Sequence, residues 1–94
     1  MAQRTAVIGS TSGLHARPAS LIAELTGAHP FDINIYLEGA DKVDVCDAKS
    51  ILSLMSLGAE HGDKVVLQAE GEGADDVLEA LARELEKDHD VAAD

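Results

Sequence analysis

Hydrophobic positions recur along this chain with two different periods, and the changes of period mark out seven elements. A period of two, as where Ile33, Ile35 and Leu37 alternate with polar residues, predicts a half-buried strand. A spacing of three and four residues predicts an amphipathic helix. The predicted strands cover Arg4–Gly9, Ile33–Leu37, Val43–Val45 and Val65–Ala69. The predicted helices cover Ala16–Thr26, the segment from an N-cap at Asp47 to Gly58, and the apolar stripe Val77, Leu78, Leu81, Ala82 and Leu85.

The order of these elements is βαββαβα, which predicts an α+β domain with one sheet and its helices on one face. The second and third strands, Ile33–Leu37 and Val43–Val45, are separated by a turn around Gly39 and should pair as a hairpin. Periodicity alone leaves the order of the four strands in the sheet open.

Composition narrows the class of protein further. Ninety-four residues allow one domain, and 18 acidic against 7 basic residues give a net charge of −11. Such a charge argues against binding to nucleic acid or to an anionic membrane surface. The start of the chain lacks a signal-peptide pattern and no apolar run approaches the roughly 20 residues of a membrane span, so we expect a cytoplasmic protein. The single cysteine, Cys46, is interpreted as a small buried apolar residue.

The segment that leads into the first helix carries the candidate chemistry. His15 stands at the expected N-cap, with Arg17 and Pro18 in the first turn. The start of a helix offers unpaired N–H groups and a partial positive charge, which suit an anion. Imidazole titrates near neutrality, and a guanidinium can hold phosphoryl oxygens. We therefore expect His15 to be a nucleophile that carries a phosphoryl group, with Arg17 beside it.

Two segments resemble the signatures of HPr, the histidine-containing phosphocarrier of the bacterial phosphoenolpyruvate-dependent sugar phosphotransferase system. Residues 13–20 (GLHARPAS) resemble its active-site motif, and residues 49–58 (KSILSLMSLG) resemble the motif around its regulatory serine. The resemblance implies an open-faced sandwich with an antiparallel sheet in the order 1-4-2-3. It also implies that Nδ1 of His15 takes the phosphoryl group from Enzyme I and passes it to EIIA components of sugar permeases.

The same resemblance assigns roles to two serines. Ser12 matches a position where some members of the family have serine, so it could donate a hydroxyl to the phosphate or be an ordinary loop residue. Ser50 matches the serine that an HPr kinase/phosphorylase modifies in many relatives, and its alternative role is simply to start a helix. Transcriptional regulators are further partners that the resemblance admits.

The second helix has apolar residues around more than half of its circumference, more than one core-facing stripe needs. One interpretation is that a short helix buries more of its surface than usual. The other places Leu54 and Leu57 toward the core and leaves Ile51, Leu52 and Met55 as an exposed docking patch. The contact surface of the family adds Ala16, Ser20 and Leu21, beside His15.

Two other functions remain open: a regulatory module that uses only the second helix and Ser50, or a ligand-binding domain of the ACT type, which would leave the helix start at His15 unexplained. The histidines at positions 29, 61 and 89 lack the spacing of metal ligands, and we expect no metal, no cofactor and no turnover enzyme. The predicted domain covers residues 1–88, followed by a frayed acidic tail over residues 89–94.

Overall fold

Four strands and three helices follow one another in the order that the hydrophobic pattern predicts. The computed structural model describes residues 2–10, 13–14, 16–29, 32–39 and 45–87. The strands are β1 (Ala2–Val7), β2 (Ile33–Leu37), β3 (Cys46–Asp47) and β4 (Lys64–Ala69), and the helices are α1 (Ala16–Gly27), α2 (Ile51–Ser56) and α3 (Ala74–Glu86). The predicted tail at residues 89–94 lies outside the described residues.

The four strands form one antiparallel sheet in the order β1-β4-β2-β3, which confirms the order that the resemblance implies. β4 lies between β1 and β2, so that Val66 faces Thr5 on one side and Tyr36 on the other. A strand with neighbours on both sides is shielded along its length, and four of the six residues of β4 are buried. The predicted pairing of the second and third strands holds, since Ile35 pairs with Cys46 and Asn34 with Asp47, but the paired residues follow the predicted strand Val43–Val45.

The three helices lie on one face of the sheet and enclose a single core, so the open-faced sandwich is confirmed. α3 is the clearest case, since its predicted apolar stripe turns inward and Leu78, Leu81, Ala82 and Leu85 are buried. Burial of these side chains is the main stabilising contribution to so small a domain. The core residues below 2% exposure with the largest side chains include Ile8, Ile22, Ile33, Ile35, Leu54, Leu67, Leu78, Leu81 and Leu85.

The first strand begins and ends two residues earlier than predicted. Ala2 and Gln3 pair with Ala69 and Gln68, which extends the strand toward the start of the chain. At the other end, the N–H of Gly9 donates to the carbonyl of Leu85 in α3 at 2.9 Å, so this residue leaves the sheet. A Cβ at Gly9 would lie 1.9 Å from the carbonyl oxygen of Glu86, and only glycine permits this approach.

The prediction of Asp47 as the N-cap of the second helix is wrong. The N–H of Ala48 donates to the carbonyl of Ile33 at 2.9 Å, which holds the chain at the edge of the sheet and delays the helix. Ser50 is the cap instead, and its hydroxyl oxygen accepts the N–H of Ser53 at 3.2 Å. Asp47 stabilises the preceding turn by accepting the N–H of Lys49 at 2.9 Å. β3 also begins after Val45, while Val43 and Asp44 lie outside the described residues.

Candidate functional site

A backbone hydrogen bond links two described residues ahead of α1. The N–H of Gly13 donates to the carbonyl of Ser10 at 2.9 Å, and we call this hydrogen-bonded pair of residues the turn. Gly13 has a φ of +80°, and a Cβ there would lie 2.6 Å from the carbonyl oxygen of Ala59. Both the left-handed backbone and the close approach require glycine at this position.

Residues on both sides of this turn are held by backbone hydrogen bonds to the segment that leads into β4. On one side, the carbonyl of Ile8 accepts the N–H of Gly62 at 2.9 Å. On the other, the N–H of Leu14 donates to the carbonyl of Ala59 at 3.0 Å, and the Leu14 side chain is buried. The chain immediately before and after the turn is therefore fixed to the body of the domain.

α1 begins directly after the position of His15. Ala16 and Arg17 are exposed in its first turn, whereas Pro18 and Ala19 are buried and anchor that turn to the core. The first N–H groups of a helix have no carbonyl partner within the helix, so they are oriented toward the space in front of it. The two predicted residues His15 and Ser12 lie outside the described residues.

The surface of α1 continues with the residues that the family resemblance assigned to partner contact. Ser20 is exposed one turn after Ala16 and Arg17, and Leu21 is half-buried next to it. Ala16, Arg17 and Ser20 thus lie along one exposed side of the helix, at its N-terminal end. This surface is directly adjacent in the chain to His15.

α2 is oriented with Leu54 toward the core and its other apolar side chains outward. Leu54 is fully buried and Leu57, just after the helix, is partly buried against the same core. Leu52 is 82% exposed, Met55 44% and Ile51 42%. We call these three residues the α2 patch. Their exposure is that expected of an apolar docking surface, since a core role would have buried them.

α1 and α2 lie side by side with opposite directions. The N–H of Leu14, before α1, donates to Ala59, which follows α2. At the other end, the buried hydroxyl of Thr26 lies 3.0 Å from the carbonyl oxygen of Ala48, which precedes α2. The two contacts place the start of α1 next to the end of α2, so the α2 patch and the exposed side of α1 belong to one edge of the domain.

Two contacts at this edge were not predicted from the sequence. Thr26 has no strong polar pattern around it, yet it is buried and also lies 3.0 Å from the carbonyl oxygens of Ile22 and Ala23. Nδ1 of His61 lies 3.2 Å from the carbonyl oxygen of Ser10, although these residues are 51 positions apart. Neither contact leaves a signal in the local sequence, because each depends on elements that meet only in the folded chain.

No three histidine, cysteine, aspartate or glutamate side chains gather as a metal site within the described part of the chain. Among the helices of these residues, none combines the length and the apolar character needed to cross a bilayer.

Comparison with known proteins decides the family. A protein-family model described as the PTS HPr component phosphorylation site matches residues 2–87. The chain belongs to the HPr family. Members of the family are phosphocarriers of the phosphotransferase system, which is therefore the role of this chain in general terms. The match covers the fold, both signature segments and the α2 patch.

Individual HPr proteins agree with this assignment. The chain is 42% identical to phosphocarrier protein HPr of Haloferax volcanii over 84% of its length and 86% of the relative. It is 37% identical to the HPr of Streptomyces coelicolor over 88% of its length and 86% of the relative. The crystal structure of HPr from Bacillus anthracis superposes with a TM-score of 0.78 at 33% identity, covering 89% of this chain and 95% of that one.

Proposed function

We propose that this HPr protein accepts a phosphoryl group on His15 from phosphorylated Enzyme I and donates it to EIIA components of sugar permeases in the cytoplasm. The observation that carries the proposal is the start of α1. An exposed arginine and a buried proline occupy the first turn directly after His15, in a chain of the HPr family. This arrangement supports phosphate binding at the first N–H groups of the helix, with Arg17 beside them.

The transfer itself needs a nucleophile and a way to balance charge. The lone pair on Nδ1 of His15, the nitrogen that the family uses, attacks phosphorus while the bond from phosphorus to the donor breaks, and the donor keeps that electron pair. The negative oxygens are stabilised by the guanidinium of Arg17 and the partial positive charge of the helix. Because the group must leave again, the protein is a carrier in a chain of transfers and does not turn over a substrate of its own. The hydroxyl of Ser12 is a further candidate donor to the phosphate.

Partner proteins are proposed to dock on the edge of the domain formed by α1 and α2. The α2 patch supplies the apolar part, and Ala16, Ser20 and Leu21 continue the surface toward His15. Ser50 caps α2 immediately before Ile51. Phosphorylation of Ser50, by a kinase of the type that modifies other HPr proteins, would add negative charge beside the patch and obstruct docking.

The carrier role is tested by incubating the protein with Enzyme I and phosphoenolpyruvate. We expect one acid-labile, base-stable phosphate on the wild-type protein and none on His15→Ala. The variants His29→Ala, His61→Ala and His89→Ala control for the other histidines and should be labelled. Label that survives His15→Ala contradicts the assignment.

The role of Arg17 is tested in the same assay. Its side chain is exposed, so Arg17→Ala should fold normally. We expect transfer to slow by at least about 10-fold, equivalent to about 1.4 kcal/mol of transition-state stabilisation. Arg17→Lys is the matched control, because it keeps the charge and loses the planar group, and it should recover only part of the rate. Equal rates for Arg17→Ala and the wild type in both directions of transfer would assign phosphate binding to the helix start alone.

A further inference from the structure

His61 makes a hydrogen bond to the turn in front of α1 that none of the roles above uses. Its Nδ1 lies 3.2 Å from the carbonyl oxygen of Ser10. A carbonyl oxygen can only accept, so Nδ1 must carry the proton and donate it. His61 is otherwise an exposed residue, and this bond joins its side chain to a residue 51 positions away in the chain.

The acceptor of this bond is the atom that closes the turn. The carbonyl of Ser10 also accepts the N–H of Gly13 at 2.9 Å, and Ser10 is 1% exposed. A carbonyl oxygen has two lone pairs, so it can accept both donors at once. The side chain of His61 and the backbone of Gly13 therefore fix the same peptide group, and a rotation of that group would break both bonds.

His61 also belongs to the segment that fixes both sides of the turn. The carbonyl of Ala59 accepts the N–H of Leu14, and the N–H of Gly62 donates to the carbonyl of Ile8. His61 lies between Ala59 and Gly62 in the chain, and its side chain contacts the carbonyl of Ser10. Three residues of one short segment thus bond to Ile8, Ser10 and Leu14.

We propose that His61 is a positioning residue for phosphoryl transfer, which acts by fixing the carbonyl of Ser10 and, through it, the N–H of Gly13 ahead of α1. This inference rests on the carrier role proposed for His15. Transfer requires the nucleophile to approach phosphorus along one line, and small displacements of a reacting group slow a reaction without unfolding the protein. The loss of His61 should therefore appear in the rate of the chemical step, with little change in partner affinity.

The test uses two substitutions of His61 and one control. His61→Leu removes the hydrogen-bond donor to Ser10 and puts an apolar side chain in its place. His61→Asn places its amide nitrogen at the position of Nδ1, one bond from Cγ, and keeps the donor. Glu60→Leu introduces the same leucine at the neighbouring exposed residue and leaves His61 in place. Single-turnover transfer from phosphorylated Enzyme I, measured over a range of donor concentrations, separates the maximal rate from the half-saturating concentration.

We expect His61→Leu to lower the maximal rate by about 3- to 10-fold and to leave the half-saturating concentration unchanged. His61→Asn and Glu60→Leu should stay within about 2-fold of the wild type, because both keep a donor to Ser10. Nitrogen-detected NMR should show the proton of the neutral His61 ring on Nδ1, and amide exchange at Gly13 should accelerate in His61→Leu alone.

Three results would overturn the inference while leaving the carrier role intact: a wild-type maximal rate in His61→Leu, a failure of His61→Asn to restore the rate, or a ring proton on Nε2. Absence of label on the wild-type protein would overturn the carrier role and this inference with it. The two failures are distinguished by whether His15 of the wild-type protein is labelled.

Discussion

α2 and α3 are both amphipathic helices on the same face of the sheet, yet they use their apolar residues differently. α3 has 13 residues, and its large apolar side chains are buried or half-buried against the core. α2 has six residues, of which only Leu54 is buried, and three large apolar side chains face outward. Folding alone accounts for the pattern of α3. The apolar residues of α2 exceed what folding needs, and that excess is the basis of the proposed docking surface.

The outward sides of the two helices also differ in their charged residues. On α3, the carboxylate of Glu79 forms ion pairs with the guanidinium groups of Arg83 at 2.9 Å and of Arg4 in β1 at 3.4 Å. The carboxylate of Glu84 forms a third ion pair with the ammonium group of Lys87 at 2.8 Å. The segment Ile51–Ser56 contains no charged residue. Charge therefore covers the outer side of α3, while α2 presents apolar surface and hydroxyl groups. The docking proposed for α2 would therefore rest mainly on apolar contact.

The largest effect should come from the inward side of α2. Leu54→Ala removes a fully buried side chain and should lower the free energy of unfolding by about 2–5 kcal/mol. Leu52→Ala makes the same chemical change at an 82% exposed position and should cost within about 0.5 kcal/mol. Denaturant unfolding of both variants gives the comparison. Equal losses in the free energy of unfolding would contradict the assignment of Leu54 to the core and Leu52 to the surface.

The next largest effect concerns the outward side of α2. Met55→Glu should slow transfer from Enzyme I by at least about 10-fold, because the new charge must lose its water when an apolar surface docks there. Ala80→Glu is the matched control, since it introduces the same charge at an exposed position of α3. Its transfer rate should equal that of the wild type. Melting temperatures of both variants should change little, and unfolding of Met55→Glu would show that Met55 belongs to the core.

Ser50 tests whether the start of α2 and its outward surface act independently. Ser50→Ala removes the oxygen that accepts the N–H of Ser53 and should cost about 1 kcal/mol of stability with transfer retained. Ser50→Asp keeps a cap oxygen and adds charge beside the α2 patch, so stability should be retained while transfer slows. Ser50→Asn keeps the cap without charge and should change neither quantity. Slow transfer in Ser50→Asn would attribute the effect to shape, because no charge is added.

The smallest effect is expected at the ion pairs of α3. Glu79→Gln removes the partner of Arg4 and Arg83, but these side chains are substantially exposed. The loss of stability should therefore stay below about 1 kcal/mol and shrink as salt is added. Thermal melts at low and high ionic strength measure it. A change in the transfer rate would contradict the separation between the two helices.

The spacing of hydrophobic residues along the chain predicted most of the fold, because each element buries one face. The stripe of α3 and the alternation of β2 are examples, and both lie where the pattern places them. The strand order came from the resemblance to HPr, since period alone says nothing about which strands pair. The exposure of Leu52 and Met55 agrees with one of the two interpretations of an apolar arc too wide for one core contact.

Features that depend on distant parts of the chain were missed or misplaced. The N-cap of α2 is Ser50 and not the predicted Asp47, because the N–H of Ala48 donates to the carbonyl of Ile33. Local sequence rules do not include such a contact between distant residues. The bond from His61 to Ser10 has the same origin. At the candidate site, the motif predicted roles for His15, Arg17 and Pro18, whereas the backbone bonds of Ala59 and Gly62 became evident only in the fold.

The close packing of Gly9 on the last turn of α3 has a practical consequence for anyone who attaches a label or an affinity handle. The N–H of Gly9 donates to Leu85, so the end of α3 lies beside the strand that leads to the turn before His15. Ala2, paired with Ala69, lies at the opposite end of that strand. A fluorophore or surface linkage placed beyond Lys87 therefore starts on the side of the proposed phosphorylation site, where we expect it to obstruct partner proteins. Attachment ahead of Ala2 leaves that side open and is the better choice for binding and transfer measurements.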